Sequence, residues 1–273
     1  MNLNNKSKAG RPATAKKTNG QVQSLSRGLA LLEKISEARA GVLLTDLSEQ
    51  VGLPVSTAHR LLTTLQAQGF VRQEVAQELW FVGTTGFKIG NAFLANRDIV
   101  RQALPTMQHL VEEVGETSNL SILQGDHTVI IAQQQCNEMM RMMVPLGSRS
   151  PLHASGVGKT ILAALPKIEQ LEQLAQLQLT KITPWTITAQ SELKAVLAQI
   201  SAQGWAFDDQ EHAVGLRCVA ACLYDEKSYP IAAISVSGPL ARIDDEKAAL
   251  LGEKVKRSAQ QITAFIGGCW PRL

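Results

Sequence analysis

Residues 45–69 read Thr45-Asp46-Leu47-Ser48-Glu49-Gln50-Val51-Gly52-Leu53-Pro54-Val55-Ser56-Thr57-Ala58-His59-Arg60-Leu61-Leu62-Thr63-Thr64-Leu65-Gln66-Ala67-Gln68-Gly69. Leu47 and Val51 are four apart, so they predict a short helix over about 45–51, with Thr45 as its cap. Gly52-Leu53-Pro54 breaks it. A second helix starts near Val55 and runs to about Gln68, and Gly69 ends it. At 100° per residue Ala58, Leu61, Leu62 and Leu65 share one side of that helix. Ser56, Arg60, Thr63 and Thr64 lie opposite, with Thr57 and His59 on the flanks. One face packs; the other carries short polar groups and an arginine that could grip guanine with two bonds. An ordinary amphipathic surface helix would share that pattern, so the flanks decide.

Upstream, a helix is predicted over 24–38, with Ser24 as N-cap and Leu25, Leu29, Leu32 and Ile35 or Ser36 on one face. Downstream, Phe70-Val71-Arg72-Gln73 and Leu79-Trp80-Phe81-Val82 are two β-prone runs around a polar turn. Helix, helix, tight turn, helix, hairpin is the order of a winged helix-turn-helix over 21–84. Its DNA-binding candidates are Ser56, Thr57, His59, Arg60, Thr63 and Thr64. Arg27 and Arg72 join them, and Ser56, Arg27 and Arg72 are expected on phosphate.

Charge supports that reading. Residues 1–97 carry a net +6 and residues 98–273 a net −3, within an overall +3. Residues 1–20 hold Lys6, Lys8, Arg11, Lys16 and Lys17 with no acid, and read as a disordered basic arm. Its Gly10-Arg11-Pro12 triplet could lie in an A·T minor groove, or the arm could simply solubilise the chain.

Residues 85–98 are predicted as a linker helix, and 99–273 as one larger domain. Helices are expected near 100–115, 156–165, 190–203 and 243–266. Strands are expected near 119–124, 128–135, 204–208, 217–224 and 230–237. Strands and helices without a strict βαβ rhythm make this α+β. No apolar run approaches the roughly 18 residues of a membrane span, and the polar N-terminus predicts a cytoplasmic protein.

Several chemistries are tested by the residues. Gly156-Val157-Gly158-Lys159-Thr160 hints at a phosphate loop, but His153 stands where the first glycine is required. Hydrolase pairs can be assembled from His153 and Ser155 or from Cys218 and His212, without a nucleophile-elbow motif. Cys218, Cys222 and His212 lack a fourth zinc ligand. The four cysteines (Cys136, Cys218, Cys222 and Cys269) form no CxxC pair and are expected as reduced thiols. The expectation is therefore no enzyme, no metal and no cofactor. A nucleoid-type architectural protein would explain the arm but not an acidic second domain.

That domain carries polar groups that could serve a pocket. Ser155 should cap a helix opening at Gly156, leaving N–H groups able to hold a carboxylate. Asp208 ends a strand, and Ser235 and Ser237 point to one side of another. Each has a plain alternative: a capped helix start, a solvent-facing strand, a merely buried Cys218.

The blocks Gln23-Ser24-Leu25-Ser26-Arg27-Gly28-Leu29 and Leu53-Pro54-Val55-Ser56-Thr57-Ala58-His59-Arg60-Leu61-Leu62 resemble the DNA-binding half of the IclR family of bacterial regulators. Pro151-Leu152-His153-Ala154-Ser155-Gly156-Val157-Gly158-Lys159, the run from Asp208 to Cys218, and Ile234-Ser235-Val236-Ser237-Gly238-Pro239 resemble its second half. The resemblance spans nearly the whole chain after residue 20. It is strongest to the branch that represses the glyoxylate bypass, with allantoin-pathway repressors next. It implies a GAF-like effector domain with a mainly antiparallel sheet, a homodimer or homotetramer, and a palindromic double-stranded DNA operator. The effector it implies is a small 2-oxo acid, glyoxylate or pyruvate. By resemblance, Gly156 and Val157 hold its carboxylate through their N–H groups. Asp208, Cys218, Ser235 and Ser237 take its carbonyl or hydrate end, and Met142 and Leu216 line an apolar wall. Ser150 departs from the apolar residue that close relatives carry there, which bears on effector identity.

Overall fold

The computed structural model describes residues 22–271 apart from 39, 75, 96 and 97. The expected basic arm over 1–20 lies outside the described residues. The chain divides into two compact units between Phe93 and Leu94.

The first unit runs α1 (Gln23–Glu37), β1 (Val42–Leu43), α2 (Leu44–Val51), α3 (Val55–Ala67), β2 (Val71–Glu74) and β3 (Leu79–Val82), followed by α4 (Thr84–Ala95). Gly52 adopts the left-handed conformation at φ 65°, which a Cβ would disfavour. Its N–H and that of Leu53 close α2 onto the Ser48 and Glu49 carbonyls. Pro54, which has no N–H to lose, then precedes the first turn of α3. Gly69 repeats the device at φ 74°, with Phe70 N–H donating to the Leu65 carbonyl at 2.9 Å. The wing is an antiparallel sheet in the order β1-β3-β2. Trp80 stands opposite both Val42 and Gln73 in that sheet. Leu31, Ile35, Leu47, Ala58, Leu62, Val71 and Trp80 form the core.

Three local expectations are corrected. Helix α1 buries Gly28, Leu31 and Ile35, while Leu25 and Leu29 are 62% and 53% exposed. Two apolar stripes overlap on this helix, and periodicity does not say which one meets the core. Ser24 is inside α1, whose cap position is Val22 with no side-chain bond. Thr45 likewise lies inside α2, and its hydroxyl turns to Asp46 rather than to a backbone N–H.

The second unit holds α5 (Asp98–Val114), β4 (Thr117–Gln124), β5 (His127–Gln134), β6 (Arg149–Pro151), α6 (Gly156–Ala164), α7 (Lys167–Gln176), α8 (Gln190–Gln203), β7 (Ala206–Asp209), β8 (Leu216–Tyr224), β9 (Pro230–Pro239) and α9 (Asp245–Phe265). Its six strands pair antiparallel in the order β6-β5-β4-β9-β8-β7. Strand alternation splits the side chains between two faces. Leu120, Val219, Ala221, Leu223, Ile234 and Val236 pack with Met107 and Leu110 of α5 and Val255 and Ile262 of α9. On the other face Ala220, Cys222 and Ala233 meet Val157 and Ile161 of α6. Helices α6, α7 and α8 share a second core around Leu162, Leu174 and Leu197. The strand expected to begin at Gly204 begins at Ala206, because Gly204 is the left-handed cap of α8.

Candidate functional site

Helix α3 presents Ser56, His59, Arg60, Thr63 and Thr64 to solvent while Ala58 and Leu62 are buried. Thr57 is half-buried. Thr57, Arg60, Leu61 and Thr64 line a cleft with Gln23, Ser24 and Arg27 of α1. Thr63 and Thr64 donate their hydroxyl protons to the His59 and Arg60 carbonyls, at 2.9 and 3.0 Å. On the wing, the Arg72 guanidinium lies 4.4 Å from the centre of the Phe81 ring. All eight sequence-predicted DNA-binding residues therefore sit on α1, α3 and the wing of one small unit. Six of the eight are on α3.

In the second unit, register builds a row of polar groups. Asp208 pairs with Cys218, Cys218 with Ser237, and Ser237 with Thr117, across four strands. The next row runs Ala206, Ala220, Ser235, Asn119, Gln133. Thr117, Asn119, Asp208, Cys218, Ser235 and Ser237 are all buried. Ser237 stands opposite Cys218 in register, and the two serines oppose the rise of its thiol. Sequence reading missed Thr117 and Asn119. The signal was the alternation Thr117, Asn119, Ser121 along β4, which puts all three on the α6 side.

Helix α6 begins over these rows. A Cβ on Gly156 would stand 3.2 Å from the Cys218 sulfur and 3.4 Å from the Ala220 Cβ. Ser155 is the cap, as the sequence predicts: its Oγ accepts from Gly158 N–H at 3.1 Å and donates to the Pro151 carbonyl at 2.7 Å. The first N–H groups of a helix, here those of Gly156 and Val157, have no intrahelical acceptor. Gly158 is required for packing, since a Cβ there would come within 2.5 Å of the Leu152 backbone.

Met142 reaches the site through Asn119, whose Nδ2 lies 3.9 Å from the Met142 sulfur while its Oδ1 accepts from Gln133 at 2.8 Å. Leu216 is half-buried on β8 with the same side-chain direction as Cys218. Ser150 lies apart, on edge strand β6 opposite Thr128, at the far end of β5 from Gln133.

Burial governs the charge state of the site. Burial pushes the Asp208 carboxyl up to about 7, against a lowering by Lys159. Its Oδ1 accepts from Glu211 N–H at 2.8 Å. The Lys159 ammonium is itself engaged by the Glu211 carboxylate and, at 2.6 Å, by the Phe207 carbonyl. This lysine is fully buried on α6, which is no place for a phosphate-gripping lysine. Burial, reinforced by Asp208, pushes the Cys218 thiol up to about 12, so at neutral pH it is a hydrogen-bonding thiol rather than a nucleophile. Cys222 donates to the Ala232 carbonyl at 3.3 Å. Among the described residues, no three His, Cys, Asp or Glu side chains are placed to hold a metal ion. None of the described helices is long and apolar enough to cross a membrane.

The comparisons with known proteins agree in both units. The IclR helix-turn-helix domain matches residues 24–75, and the C-terminal domain of the bacterial transcriptional regulator IclR matches residues 91–264. The chain is 47% identical over 258 residues to the transcriptional repressor IclR of Escherichia coli, covering 94% of each chain. The acetate operon repressor of Salmonella typhimurium shows the same identity and coverage. The transcriptional repressor AllR of Klebsiella pneumoniae is 38% identical, covering 90% of each chain. The crystal structure of the Thermotoga maritima IclR superposes with a TM-score of 0.76 at 27% identity, covering 89% of this chain and 98% of that one. A winged helix-turn-helix and a polar-floored sheet beneath a helix N-terminus, matched along nearly the whole chain, make this protein a member of the IclR family of bacterial transcriptional regulators.

Proposed function

We propose that this regulator represses an acetate-utilisation operon of the glyoxylate bypass and answers to a small 2-oxo acid, glyoxylate or pyruvate. The observation that carries the effector reading is the row Asp208, Cys218, Ser237 and Thr117 beneath the N-terminus of α6. The Gly156 and Val157 N–H groups receive the carboxylate, aided by the helix dipole. Asp208, Cys218, Ser235 and Ser237 bind the carbonyl or its hydrate. Met142 and Leu216 close the apolar side. No bond is made or broken, and neither cofactor nor metal takes part.

The operon assignment rests on the acetate operon repressor at 47% identity. An allantoin-pathway role is the second reading, supported by AllR at 38%. The protein acts as a homodimer or homotetramer, its two α3 helices entering adjacent major grooves about 34–36 Å apart or a multiple of that. An effector that prefers a mis-spaced arrangement weakens DNA binding, by no more than its differential affinity for the two states.

Fluorescence anisotropy of the protein on its own upstream DNA, with unrelated DNA as control, tests this in the presence of glyoxylate and of pyruvate. Specific binding weakened by either acid is expected. Specific binding indifferent to both would remove the effector assignment. Equal binding to both DNAs would remove the repressor reading.

A further inference from the structure

The cleft between α1 and α3 divides the labour of the DNA-facing residues in a way their types alone do not. Arg27 and Arg60 line the same concavity of about 260 Å³, together with Gln23, Ser24, Thr57 and Thr64. Among the described residues neither guanidinium has an acidic partner. Two unneutralised cations at one polar cleft call for an anion. A second feature points the same way. Gln23 and Ser24, which line this end of the cleft, are the first residues of α1, a 15-residue helix whose N-cap Val22 makes no side-chain bond, so its first N–H groups have no intrahelical acceptor.

We infer that Arg27 and Arg60 clamp one backbone phosphate of the operator between α1 and α3, and that Ser56, His59 and Thr63 carry the sequence reading. This rests on the DNA-binding half of the proposed function. It reassigns Arg60 from guanine to phosphate and Ser56 from phosphate to base reading. On the wheel of α3, Thr57, Leu61 and Thr64 turn toward α1, and Arg60 lies on the α1 side of the exposed face. Ser56, Thr63 and His59 continue round the far side. Because Thr63 spends its proton on the His59 carbonyl, it meets a base only as an acceptor or through its methyl group. That suits the amino groups of adenine or cytosine, or the thymine methyl.

The test is the salt dependence of binding for wild type, Arg27→Ala, Arg60→Ala, the double variant and Thr63→Val. Each is measured on upstream DNA, on single-base variants of it, and on unrelated DNA. A phosphate contact contributes about one unit to the slope of log K against log salt and is blind to sequence; a substitution removes it once in every DNA-bound subunit, so the slope changes below are per bound subunit. Arg60→Ala should weaken binding to all DNAs by a similar factor and lower the slope by about 1. The double variant should also lose about 1, because both arginines serve one phosphate. Thr63→Val should keep the slope and relax the preference at one base pair. A slope loss of about 2 in the double variant would show two phosphates and overturn the shared clamp. Relaxed preference at a guanine in Arg60→Ala, with unrelated DNA unaffected, would return Arg60 to base reading. If wild type shows no preference for its upstream DNA, the repressor reading fails, yet the slopes on unrelated DNA still decide the clamp. Addition of inorganic phosphate at constant ionic strength separates a free-anion pocket from a DNA clamp. Competition matched by Arg27→Ala, with unchanged DNA slopes, would overturn the proposal.

Discussion

Lys159 of α6 and Glu211 of the loop after β7 form an ion pair inside the second unit, with both side chains buried. The pair ties the helix that opens over the candidate effector site to the strand end that supplies Asp208. Lys159 is also the cation that holds the Asp208 carboxyl down against its burial. Lys159→Met should therefore strip two buried acids of their counter-charge. Removing one partner of such a pair costs about 3–5 kcal/mol, mostly through the charge left behind. Urea denaturation of the two variants checks this: Lys159→Met should fall by about that amount, and Lys159→Met with Glu211→Gln should recover part of it. Equal loss in both would mean that packing of the lysine stem, not charge, is what matters.

The thiols give a simple check on burial. Cys136, Cys218 and Cys222 are buried and Cys269 is exposed. Burial pushes Cys218 up to about 12 and Cys222 higher still. Thiol reactivity follows exposure and thiolate fraction. A thiol reagent on the folded protein should titrate one cysteine quickly, and Cys269→Ser should abolish that fast phase. Rapid modification of Cys218, read by peptide mapping, would contradict both its burial and its role as a hydrogen-bonding thiol.

Gly156 and Gly158 are separated by one residue and should fail differently. A Cβ at Gly158 meets the Leu152 backbone at 2.5 Å, which cannot move without shifting the segment before α6. Gly158→Ala should destabilise the protein by roughly 1–3 kcal/mol, as overpacking does. A Cβ at Gly156 meets the Cys218 sulfur at 3.2 Å and, at 3.4 Å, the Ala220 Cβ and the Cys218 carbonyl oxygen, so shifts of a few tenths of an ångström should accommodate it. The added methyl would nevertheless occupy the space between the helix start and the polar floor. Gly156→Ala should keep DNA binding and a near-normal melting temperature while losing most of the effector response. Retention of that response would place the effector elsewhere.

The DNA-binding half was legible because its decisive features are local: Gly52 and Gly69 need left-handed backbone, Pro54 needs a helix start, and Ala58 and Leu62 share one face of a short helix. The misreading of Leu25 and Leu29 arose where two apolar stripes compete and only tertiary packing chooses between them. Strands β1 and β6, at two and three residues, are too short to show a period. Helix α7 went unread because Ile168 and Leu171 are exposed while Gln170 is buried, a pattern with no clean apolar face. The candidate effector site was read by resemblance rather than by spacing. Its neighbours Thr117 and Asn119 come from a strand 91 residues before Asp208 and meet it only through β9 and β8. Pairing at that separation leaves no trace in local sequence.

Asp208 should make the effector response depend on pH. Its carboxyl is pushed up to about 7 in the folded protein, chiefly by burial, with the Glu211 charge adding to it and Lys159 and the Glu211 and His212 N–H groups opposing. The neighbouring Cys218 stays protonated and His212 is pushed down by burial, so neither adds charge near neutrality. A carboxylate ligand at the α6 N-terminus would meet a neutral Asp208 below pH 7 and a negative one above it. Like charges at one site disfavour joint ionisation, so binding of the acid should take up a proton and weaken as pH rises through about 7. Calorimetry in two buffers of different ionisation enthalpy reads that proton directly. The same shift sets the sign for stability. An acid whose folded value lies above its unfolded one binds more protons when folded, so stability falls as pH rises from about 4 toward 7 and is level beyond. Asp208→Asn should flatten both trends while leaving DNA binding intact. Effector affinity unchanged between pH 6 and 8 in wild type would mean that Asp208 does not face the ligand.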